Sequence, residues 1–97
     1  MITYLKDHIK EEIEGAKDYM TKAIALKKSH PDMSWNFYNM AQVELEHANC
    51  LTKMFNKMEK PESMSDSEHS MILKEVVNAY STSMSEIESM RKLYFAD

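Results

Sequence analysis

Glycine and proline are almost missing from this chain: one Gly and two Pro stand among 97 residues. Folds built from strands place both at their many turns and cluster β-branched and aromatic residues between them. Neither pattern is present, which points to an all-α chain. Cysteine is nearly absent too. Cys50 is alone, so no intrachain disulfide can form, which suits a reducing, cytoplasmic setting. It falls off the apolar stripe of its helix and reads as a small flanking residue. No apolar run approaches the about 18 residues that span a bilayer, and residues 1–7 do not read as a signal peptide. Basic tracts and aromatic–basic platforms are lacking as well. The net charge is −4 with both signs interspersed, so a nucleic-acid partner is not expected.

Methionine, by contrast, is abundant, with ten residues. They are spread along the helices rather than clustered, which suits gap filling in a core better than a thioether copper site. The chain reads as one domain, residues 1–97. Helices are expected at about 3–28, 32–58 and 66–95. The first turn falls at Ser29–His30, just before Pro31, whose missing N–H is harmless at a helix start. Lys60 to Met64 form a polar linker, and Ser65 to Glu68 read as a capping box opening the third helix. A chain this short buries a modest core, and oligomerisation would add to it.

The second helix carries a stripe with steps of four and three: Met33, Phe37, Met40, Glu44, His47, Leu51, Met54 and Met58. Glu44 and His47 are its only non-apolar members, and at i and i+3 they share a face. The first helix repeats the rhythm with Leu5, Ile9, Glu12, Ala16, Tyr19, Ala23 and Leu26, where Glu12 is the one charged member. A hairpin turning at Ser29–His30 sets Glu12 level with His47. Glu12, Glu44 and His47 should therefore converge at one height. Burying such groups costs several kcal/mol unless they are compensated, and a metal ion is the commonest compensation. The third helix has the stripe Leu73, Val76, Tyr80, Ser83, Ile87, Met90 and Tyr94, with no carboxylate on it. One chain thus offers three ligands, about half of what a pair of metals needs.

Glu44 to His47 is a Glu-x-x-His motif, the element that di-iron carboxylate bundles take from two of their helices while two others each give one Glu. It resembles the ferritin-like superfamily, which includes ferritins, rubrerythrins and the small two-helix ferritin-like proteins stored in encapsulin shells. The resemblance covers the first two helices, about 55 residues. Gln42 to Ala48 looks like the family's second-helix motif. Glu12 precedes Glu44 by about the family's usual separation, and Tyr19 follows Glu12 by seven residues, like the aromatic beside the family's iron site. Glu14 matches the spacing of the encapsulated group and stands as the alternative to Glu12, although it falls off the stripe.

The resemblance implies an antiparallel helical hairpin plus a third helix, with a ferritin-like four-helix bundle completed by dimerisation or higher homo-oligomerisation. Two copies of Glu12, Glu44 and His47 would then surround two metals, four carboxylates balancing two divalent ions. The donor set suits iron, with Mn or Zn as further choices. The implied activity is ferroxidase-type oxidation of Fe(II), with Tyr19 beside the metals as an electron donor, a hydrogen-bond partner of a ligand, or simple packing. Two other readings stay open. Glu12 and His47 could form a buried ion pair with Glu44 held by Tyr19 or Tyr38. Or the chain is a non-enzymatic bundle or adaptor with a structural or degenerate metal site, using the third helix and its residues Met71, Tyr80, Met84, Met90, Tyr94 and Phe95 to meet a protein partner.

Overall fold

A computed structural model describes residues 1–96. It contains α1 (Ile2–Leu26), α2 (Pro31–Lys57) and α3 (Asp66–Phe95), and no strand among the described residues. The fold is all-α. The helix boundaries follow local chemistry. Pro31 sits at the first position of α2, behind His30. The Ser65 hydroxyl accepts the Glu68 backbone N–H at 3.1 Å, opening α3 with an acidic first turn that suits the helix dipole. The α1 end is two residues shorter than the spacing suggests, because residues 27–29 form the turn.

The α1 helix lies between the other two. Its backbone approaches both α2 and α3, whereas α2 and α3 meet only through side chains. Its buried face is Ile2, Leu5, Ile9, Ile13, Ala16, Met20 and Ala23. One core cluster joins the first part of this face to Ala48 and Phe55 of α2 and to Val76 and Ile87 of α3. A second cluster, at the hairpin end, joins Met20 and Ala23 to Tyr38, Ala41 and Tyr94. There the Tyr38 ring stacks on Tyr94 at 4.9 Å and on Trp35 at 5.2 Å. Lys27 donates to the Tyr94 carbonyl, tying the end of α3 to the end of α1. Glu44 lies between Ala41 and Ala48 in sequence, so the acidic residues fall at the junction of the two clusters.

The α2 stripe behaves differently from its apolar pattern. Within the chain, α2 buries Ser34, Tyr38, Ala41, Ala48 and Phe55 instead. Met40 is 42 % exposed and Met54 51 % exposed, and Met33 is equally open. The buried stripe is rotated by about one residue, or 100°, from the methionine stripe. Size explains the rotation. Ser34, Ala41 and Ala48 let two helix backbones approach closely, whereas a methionine row would hold them apart. On α3 the expected residues Val76, Ser83, Ile87 and Tyr94 are buried, but Leu73 is exposed. The exposed apolar residues of α3 do not share one side: the helical repeat puts Met71 and Leu93 on a different side from Val77 and Phe95. No helix of the described residues is long and apolar enough to cross a membrane.

Candidate metal centre

Glu12 projects from the middle of α1, and Glu44 and His47 project from successive turns of α2. Each offers one ligand atom, and these atoms all lie within 4.8 Å of one another. Glu12 is largely enclosed, its side chain 15 % exposed, while His47 is 58 % exposed and faces the open side of the hairpin. Glu12 Oε2 stands 3.5 Å from His47 Nδ1. Equal offsets from the turn account for this level placement, and the α2 helix brings Glu44 beside it.

The two carboxylates face each other. An ionised carboxylate only accepts hydrogen bonds, so the pair has no donor of its own. With both groups ionised, the buried Glu12 Oε2 has no hydrogen-bond partner. Without a cation between them, the closeness of two carboxylates favours the form in which one of them holds a proton. Hydrogen bonding to Glu12, together with burial, pushes the Glu44 carboxyl above its ordinary range. The same hydrogen bond from Glu44 holds Glu12 below the usual carboxylate value, against its own burial, with help from His47 and His8. Two converging carboxylates, an orphaned buried oxygen and an imidazole form a hard oxygen-and-nitrogen donor set. This suits Fe(II), Mn(II) or Zn(II).

Glu14 points outward and pairs with Lys17 at 3.5 Å, away from the cluster. Glu46 is exposed on the other side of α2. Tyr19 is half-buried beside the cluster, stacked on Phe37 at 6.0 Å, and lines a shallow groove with Met40, Val43 and Glu44. Tyr38 is engaged with Trp35 and Tyr94 at the hairpin end. The α3 carboxylates serve elsewhere: Glu75 pairs with Lys6, Glu86 with Lys17 and Glu88 with Arg91.

Two residues escaped the sequence reading. His8 Nε2 lies 3.1 Å from Glu12 Oε1, one turn earlier on α1. Its spacing of four from Glu12 is the signal that could have found it. The other is Gly15, the only glycine of the chain. A Cβ built there would lie 3.2 Å from Glu44 Oε2, so the Glu44 carboxylate rests against the α1 backbone at a place kept clear of side chain. A mid-helix glycine costs about 1 kcal/mol relative to alanine, and a lone one asks for a reason.

That contact has a measurable consequence. Gly15→Ala is expected to stabilise the metal-free helix by up to about 1 kcal/mol while pushing the flexible end of Glu44 aside. Thermal melts should therefore rise without metal, and metal affinity by calorimetry should fall. Equal affinity in both chains would mean that Gly15 does not set the position of Glu44.

A sequence model of the rubrerythrin family matches residues 3–94, almost the whole chain. The chain belongs to the rubrerythrin family. No curated protein and no solved structure gives a significant match. Rubrerythrins are di-iron carboxylate proteins of the ferritin-like superfamily, and iron is the metal the family typically binds. The family match extends through α3, beyond the two helices that carry the motif. This rubrerythrin-family chain brings a Glu-x-x-His motif on α2 together with Glu12 of α1.

Proposed function

We propose that two copies of this chain pair through the open face of the α1–α2 hairpin and oxidise Fe(II) at a site built from Glu12, Glu44 and His47 of both. The observation carrying this reading is the pair of facing carboxylates, from two helices, with no donor between them and His47 within reach. Exposed Met33, Met40, Val43 and Met54 surround the same side of α2, an apolar surface suited to a second hairpin. A two-fold axis would supply the missing half of the ligand set.

Iron bound there as a pair supplies the chemistry: two Fe(II) each give one electron, and dioxygen takes two electrons and two protons to become hydrogen peroxide. The residues do the rest. Four carboxylates balance two divalent charges, so binding draws on the electrostatic cost already present in the metal-free pair. Any proton held by Glu44 must leave before both carboxylates can act as ligands. His47 supplies a neutral nitrogen donor. Tyr19 and Phe37 form an apolar wall on the hairpin-end side and limit water there.

The test is dioxygen uptake on adding Fe(II) to the metal-free protein. Saturable uptake near one dioxygen per two irons, lost in Glu44→Ala, supports the reading. Metal binding that stabilises a dimer without consuming dioxygen would favour the second reading, a structural centre that locks two chains together.

A further inference from the structure

We propose that His8 is a positioning residue for Glu12: its Nε2–H holds one carboxylate oxygen, so that the other is presented to Glu44 and His47. The proposal rests on the metal-centre reading above.

The Glu12 carboxylate is bracketed by two imidazoles from two helices. His8 Nε2 meets Oε1 at 3.1 Å, and His47 Nδ1 stands 3.5 Å from Oε2. Only His47 belongs to the group of converging ligand atoms; His8 does not. His8 therefore touches Glu12 from outside the group of converging atoms. A free glutamate can turn about its last torsion, which is broad and nearly two-fold, and can offer either oxygen or both. A donor fixed on Oε1 removes that freedom and leaves Oε2, the buried oxygen without a partner, as the inward atom. The donor also favours the ionised carboxylate, the form that binds a cation.

Packing does not require a histidine here. The His8 side chain is about a third exposed, on the outer part of α1, and any good helix former would serve the fold. The ring is held in place by the edge of Tyr4, at 5.5 Å and 82°. It also lines one shallow groove with Glu12, His47, Cys50 and Leu51, on the side of the cluster opposite Tyr19. Thus His8 forms one wall of a path to the ligands and orients the first of them.

The experiment uses Co(II) as the probe, followed by its visible absorption, with His8→Phe, His8→Ala and His8→Gln. Phenylalanine keeps a ring without the donor, alanine removes both, and glutamine restores an N–H donor at similar reach. Wild type is expected to bind Co(II). His8→Phe and His8→Ala should bind roughly 10- to 100-fold more weakly and show shifted absorption bands, while His8→Gln recovers most of the affinity and the wild-type bands. Metal-free melting temperatures should stay within about 4 °C of wild type, as for other surface changes. Wild-type affinity and bands in His8→Phe and His8→Ala would overturn the proposal. So would a glutamine variant as weak as alanine, which would make the imidazole itself the required group. Failure of the wild-type chain to bind Co(II), or undiminished binding by Glu44→Gln, would overturn the metal-centre reading and His8's role with it.

Discussion

Saturating Zn(II) is expected to raise the melting temperature of this protein by about 15–30 °C, and Glu44→Gln to remove the rise. A ligand present at 1,000 times its dissociation constant stabilises the form that binds it by about 4.1 kcal/mol. For a domain of this size each kcal/mol is worth about 4–8 °C. Glutamine keeps the shape of Glu44 and places an amide donor against the unpartnered Glu12 Oε2. At a pH above the raised Glu44 value, the metal-free variant should therefore melt a few degrees above metal-free wild type, even as it loses the response to metal. Opposite signs in the two conditions are hard to obtain from a general loss of structure. A variant that melts lower without metal and still gains from zinc would contradict this account of the pair.

The same pair sets a pH dependence. Glu44 is raised in the folded state, so its favourable contribution is present below the ordinary carboxylate value of 4.5 and is lost as pH rises through its folded value. Glu12 is lowered, so its contribution is present above 4.5 and is lost as pH falls through its folded value. Above the raised Glu44 value the two charges face each other, and metal-free stability should decline. Metal competes with the shared proton, so the zinc-induced rise should grow as pH is raised from acid toward neutrality.

Charging the open face should have an effect of similar size. Met40→Glu combined with Met54→Glu is expected to turn a dimer into a monomer and to weaken association by at least about 100-fold. Burying a methionine side chain is worth about 1.5–3 kcal/mol, and a two-fold interface counts each substitution twice. An unpaired carboxylate in that interface adds a further cost of several kcal/mol. Both residues are about half exposed in the single chain, so the fold of each hairpin should survive. The matching control is Met71→Glu, which is more exposed and lies on α3, outside the hairpin. Sedimentation would read all three. A double variant that sediments as wild type would place the interface elsewhere.

The sequence carried the helices and the height of the site because both follow from periodicity and a turn. Equal offsets from Ser29–His30 were enough to set Glu12 beside His47. The rotation of α2 was less legible. Two stripes on that helix carry apolar residues, one rich in methionine and one that mixes Ser34, Ala41 and Ala48 with Tyr38 and Phe55, and hydrophobicity alone favoured the first. Backbone approach chose Ser34, Ala41 and Ala48, and left the methionines outward. His8 and Gly15 were missed for a related reason. Neither breaks an apolar stripe, so neither looks anomalous until Glu12 and Glu44 have positions in space. Glu14 could be separated from Glu12 only by direction, since the two differ by about 160° around the helix axis after two residues.

The most direct test of a metal centre shared by two chains is native mass spectrometry with metal counting, after anaerobic loading with Fe(II). From the chain mass of 11.4 kDa, the account predicts a species near 23 kDa. It should carry two metal ions in wild type and none in Glu44→Ala. A monomer, or a dimer that takes up no metal, would contradict it and leave Glu12, Glu44 and His47 as a polar network within a single hairpin.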